Sequence, residues 1–136
     1  MRMILLVLAL CACRADALFR PVEYQLFAPP TLYAKWWAET ERCLGVQADL
    51  ARVGWAVMED DSLGAFWAYE SDGRGHKQRV LAAGLWVAPH LIIVSRSHLE
   101  TEIVVRHEMI HDLLQSPEHG EAFPHRCAGA YQSPGR

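Results

Sequence analysis

No stretch of the chain reaches the roughly 18 uninterrupted apolar residues that a membrane span needs, which excludes a multi-pass membrane protein. Basic runs are missing too. The 13 Lys and Arg are scattered among 16 Asp and Glu, and the net charge of −3 argues against nucleic acid as the main partner. Neither an internal repeat nor a low-complexity segment is present, and there are only four cysteines. What is there is apolar: 51% of the residues, with five Trp, too much for a disordered tail. A length of 136 residues allows one ordinary globular domain and leaves little room for a second.

The first 17 residues read as an address. Arg2 supplies a positive start, and Met3 to Cys13 is an apolar block of secretory length, too short to span a bilayer. Ala15-Asp16-Ala17 places small residues where a signal peptidase reads, predicting cleavage before Leu18 and a mature domain over 18–136. A competing reading takes Leu10-Cys11-Ala12-Cys13 as a lipoprotein box, with the signal ending at residue 12 and Cys13 lipidated. A buried N-terminal helix or strand is the third. The first two predict an exported protein, secreted, periplasmic or lipid-anchored at the cell surface, with membrane contact only through the lipid at Cys13.

Export leaves Cys43 and Cys127 as the remaining cysteines in an oxidising compartment, which predicts one disulfide worth about 4 kcal/mol. Two buried free thiols are the alternative.

Along the mature chain, Pro29-Pro30 excludes helix and Thr31 can cap one over Leu32 to Leu44. Tyr33, Trp36, Trp37, Thr40 and Leu44 recur at helical spacing, Gly45 is the stop, and Cys43 is expected to point inward. Val53, Trp55 and Val57 alternate as in a half-buried strand. Phe66 to Tyr69, Val80 to Ala88 and Leu91 to Ser95 read as further strands, with turns at 59–62 and 71–75. Ser97-His98-Leu99-Glu100 has the form of a capping box opening a second helix to about Gln115, where Ser116-Pro117 stops it. Leu99, Ile103, Ile110 and Leu114 are its expected core face. The fold class is α+β: a helix, a small mixed sheet, then a second helix.

On that second helix lies His107-Glu108-Met109-Ile110-His111. Four residues advance a helix by slightly more than one turn, so His107 and His111 stack on one face and can bind one tetrahedral zinc. Glu108, rotated about 100° from His107, can reach a water at the metal and take its proton as general base without being a ligand. The third ligand must come from beyond the helix. A metzincin needs Gly at 114 and His at 117, where Leu114 and Pro117 stand, and no downstream partner fits the thermolysin pattern.

The stretch from His107 to His111, followed by His119-Gly120-Glu121-Ala122-Phe123, resembles the metal site of SprT-like and related minimal zincins. The resemblance implies a zincin-like domain, zinc as cofactor and His119 as third ligand. It does not extend upstream, and the intracellular, nucleic-acid-linked work of SprT-like proteins does not fit an exported acidic chain. Glu118, Glu121 and His125 stand within reach as alternative ligands. His125 or Tyr131 can serve as oxyanion partners, and Asp112 either orients a ligand imidazole or lies on a solvated helix face. Arg106 reads as a surface charge, and His76, His90 and His98 have no ligand spacing.

The expected function is zinc-dependent hydrolysis of peptide bonds, with a peptide adding along Leu91 to Ser95 as an open edge. The rival is a non-enzymatic exported binding domain with a structural or relic zinc site. Hydrolysis of a non-peptide amide is the third reading.

Overall fold

A computed structural model describes residues 23–71 and 76–129. The address segment 1–17, including Cys13, and Tyr131 lie outside the described residues. Among the described residues, two helices, α1 (Thr31–Leu44) and α2 (Glu102–Leu114), pack with six strands. These are β1 (Tyr24–Leu26), β2 (Gly54–Met58), β3 (Phe66–Ser71), β4 (Lys77–Ala82), β5 (Gly84–Val87) and β6 (Leu91–Ser95). One sheet has the order β1-β2-β6-β5, with β2 and β6 parallel and the other pairs antiparallel; β3 and β4 form a separate hairpin. The α+β class read from the sequence is the class observed.

The helix α1 keeps the expected aromatic face but starts one residue early: Thr31 is its first residue, not its cap, and Pro30 stands at the N-cap with no side-chain cap bond. Tyr33, Trp36, Trp37 and Thr40 are buried, and Gly45 closes the helix at φ +70°, a backbone that favours glycine. The Tyr33 hydroxyl donates to the Leu99 carbonyl at 2.7 Å, giving the buried ring a polar partner on the far side of the core.

Strand β2 departs from the half-buried expectation. Its alternation is real, but both faces are covered. Trp55 joins Tyr33, Trp36, Trp37, Val94 and Met109 under the helices. Ala56 and Met58 join Phe66, Ala68 and Ile93 under the hairpin. A parallel strand pair needs cover on both faces, and the hairpin supplies the second layer. For the same reason Leu91 to Ser95 is not an edge: β6 runs between β2 and β5, with Ile92, Ile93 and Val94 buried. The run Val80 to Ala88 divides at Ala83, whose carbonyl accepts from the Ser95 amide at 2.9 Å, and its second half, β5, is an edge strand of the sheet, as β1 is at the other side.

The second helix also starts later than its capping-box sequence predicts. The Ser97 amide is held by the Asp60 carboxylate at 2.7 Å and residues 96–98 make a 3-10 turn, so α2 begins at Glu102. Its buried apolar residues are Val105, Met109 and Ile110, whereas Ile103 and Leu114 are exposed. Arg106, Glu108, His111 and Asp112 are buried beside them, and this polar content is what blurs the apolar stripe.

Arg106 is therefore no surface charge. Its guanidinium donates to Thr40 Oγ1 (3.0 Å), Glu102 Oε1 (2.6 Å), Glu39 Oε2 (3.2 Å) and the Cys127 carbonyl (2.7 Å). That fan ties α1, α2 and the 3-10 turn at His125–Ala128 together. The predicted Cys43–Cys127 disulfide joins the same turn to α1, with a Cα–Cα distance of 5.6 Å. Cys127 is fully buried, but Cys43 is exposed, contrary to the inward orientation expected from its spacing.

Candidate metal centre

The helix places His107 and His111 one turn apart, and the segment after α2 returns to bring His119 against both. The His107 and His119 Nε2 atoms are 2.9 Å apart, those of His111 and His119 2.9 Å, and those of His111 and His107 3.2 Å. Four ligands on a tetrahedral zinc with bonds of ~2.0–2.1 Å stand about 3.3–3.4 Å from one another. The three nitrogens thus lie close to the spacing that such an ion imposes. Among the described residues, these three form the His, Cys, Asp or Glu group able to hold a metal ion.

The protonation states suit the task. A carbonyl can only accept, so His111 Nδ1 carries the proton it donates to the Ser116 carbonyl at 2.7 Å, leaving Nε2 a bare lone pair aimed at the cluster. Burial, helped by His111, His119 and His125, pushes His107 down from 6.5 to about 4. Burial also lowers His111, against the opposing pull of the Ser116 carbonyl, and His119 and His125 lower it further. At neutral pH both are free bases ready to coordinate. A folded-state pKa below the unfolded one means the unfolded chain binds more protons between pH 6.5 and 4. The metal-free protein should accordingly lose stability as pH falls through that window. Urea midpoints measured across it should show a smaller loss in His107→Gln.

Phe123, the last residue of the motif, packs beneath the cluster. Its ring centroid lies 4.8 Å from those of His107 and His111 and 5.2 Å from that of His119. It shares a buried cluster with Ile110, Cys127 and Ala128. Phe123→Ala should destabilise the metal-free protein by about 3 kcal/mol through the cavity it leaves, and should weaken zinc binding as the His119 loop loosens. Denaturant unfolding and a zinc titration check the two effects.

Glu108 is buried with its carboxylate against β5: a Cβ placed on Gly84 would stand 2.8 Å from Glu108 Oε1 and Cγ. No spacing rule links residues 84 and 108, so sequence reasoning missed Gly84; a glycine at a strand start is its one signal. It also missed what surrounds Asp112. That carboxylate is fully buried and accepts from Arg52 Nη2 (3.0 Å), Trp86 Nε1 (3.1 Å) and His90 Nδ1 (3.1 Å). It neither bonds a ligand imidazole nor meets solvent. Instead it fixes Trp86, whose ring stacks on His111 at 6.2 Å with planes 15° apart. His90 is thus a partner of Asp112, and His98 pairs with the Ser95 hydroxyl at 2.9 Å.

No protein-family model, curated protein or solved structure matches this chain. The likeness to SprT-like metal sites therefore rests on the motif residues themselves. Of the alternative ligands, Glu118 lines the same cleft, Glu121 is exposed, and His125 stands 6.1 Å from His107 ring to ring; none joins the converging set. The cleft has a volume of about 810 Å³ and runs from the three histidines and Glu108 along β5 to the hairpin.

Proposed function

We propose that this chain is an exported zinc-dependent peptidase, with His107, His111 and His119 holding the metal and Glu108 acting as general base. The convergence of three Nε2 atoms within 2.9–3.2 Å, beside a buried carboxylate, carries this reading. When bound, zinc supplies Lewis acidity for the scissile carbonyl and lowers the pKa of a water towards ~7. Glu108 would serve as the general base, holding the proton taken from the attacking water and returning it to the nitrogen of the departing amine. A purely structural site gives no such task to a carboxylate beside its first histidine.

The free edge of β5 offers main-chain donors and acceptors on which an extended peptide can add a strand, leading it past Glu108 at Gly84. The Cys43–Cys127 disulfide supports export, since such bonds persist in oxidising compartments. The mature chain then starts at Leu18 or at a lipidated Cys13.

A broad peptide library incubated with zinc-loaded protein and read by mass spectrometry tests the activity. Cleavage that a chelator stops and zinc restores is the expected result. A library left intact overturns the reading.

A further inference from the structure

The hairpin presents two different faces. Its register sets Phe66 opposite Ala82 and Ala68 opposite Val80, and these four pack inward against β2 and β6. Trp67 opposite Leu81 and Tyr69 opposite Arg79 point the other way. On that outer face the Arg79 guanidinium covers the Trp67 ring at 4.2 Å. Tyr69 and Leu81 stay 63% and 40% exposed, and both line the same cleft as His107 and Glu108. Ile103, 38% exposed, lies one helical turn before His107 and lines the cleft from its other wall. Three large apolar side chains are thus left to water at one end of the candidate active site.

We propose that Tyr69, Leu81 and Ile103 form a subsite of this cleft that receives a large apolar or aromatic side chain of a polypeptide. The proposal rests on the peptidase reading and names its substrate class. The occupant follows from continuity: the chain from Leu81 through Ala83 to Gly84 is one lining of the cleft, and Glu108 lies against Gly84. Leu81 is three residues from Gly84, at most about 11 Å along an extended chain. A substrate side chain two or three positions from the scissile bond therefore reaches the subsite. Tyr69 adds a flat amphipathic ring on which an aromatic side chain can stack while the hydroxyl stays wet.

Paired peptides with Phe or Gly two or three positions to either side of the cut test this, given to the zinc-loaded full chain. The expected result is a kcat/KM preference for Phe of about tenfold or more on one side of the cut. Tyr69→Ser combined with Leu81→Ser should bring that ratio close to one, while Tyr69→Phe keeps it. Zinc content and circular dichroism verify that the exposed substitutions leave the fold intact. Binding of the same peptides, followed by fluorescence anisotropy, separates the two claims. Cleavage without preference overturns the subsite and leaves the peptidase. Preferential binding without cleavage, lost in the double variant, overturns the peptidase and leaves the subsite; neither cleavage nor binding overturns both. Dimerisation that the double variant abolishes, with peptide preference unchanged, assigns the face to a second copy and overturns the proposal.

Discussion

Glu108→Gln should retain one zinc per chain and slow peptide hydrolysis by about 10²–10⁴-fold. The amide has the carboxylate's size, so it fills the same place against Gly84 and opens no cavity in α2. The three histidine nitrogens are untouched, and with them the affinity for the ion. What the proposed role loses is the carboxylate that takes a proton from water and returns it to the leaving amine. Single-turnover rates beside metal analysis separate the two effects. Equal loss of zinc and activity would mean that Glu108 shapes the metal site instead of working beside it. Gly84→Ala provides a companion test, because its Cβ would stand 2.8 Å from the Glu108 carboxylate and push it away from its place.

Replacing both Cys43 and Cys127 by serine should cost up to about 4.5 kcal/mol of stability, the chain-entropy estimate for a bridge closing a separation of 84 residues. Changing both avoids a stray thiol. The loss should not stop at stability. Cys127 is fully buried next to Ile110 and Phe123, and its carbonyl receives Arg106, so the bridge secures the turn that follows the His119 loop. Zinc affinity of the double variant should therefore fall as well. Denaturant unfolding under non-reducing conditions, followed by a zinc titration, reads both quantities. An unchanged affinity would show that Arg106 and the Phe123 packing suffice to hold the loop.

Local chemistry was legible in the sequence. The aromatic spacing of α1, its glycine stop, the disulfide partners and the helix pair His107 and His111 follow from rules that operate within a few residues or from simple elimination, whereas His119 comes only from the resemblance to SprT-like metal sites. Phe123 was visible only as a letter in a pattern, and its place under three imidazoles needed the fold. Position in the sheet was not legible. The residues of β6 read as an open edge but lie between two strands, because burial on two faces and burial on one give similar short apolar runs. The long-range polar pairs were also hidden. Arg52, Trp86 and His90 converge on Asp112 from separations of 60, 26 and 22 residues, and no periodicity connects them. Arg106 looked like an exposed charge for the same reason: its partners Glu39 and Thr40 lie on the other helix.

Whether His107, His111 and His119 hold one zinc is decided by metal binding to the purified, metal-stripped chain. Titration with zinc, and with cobalt as a spectroscopic substitute, should saturate at one ion per chain with the absorption of a tetrahedral nitrogen-rich site. His119→Ala should bind at least about tenfold more weakly, since only the two helix histidines remain. No binding by the folded wild-type chain, or wild-type affinity in a variant with all three histidines replaced by alanine, would rule out a zinc site at these residues.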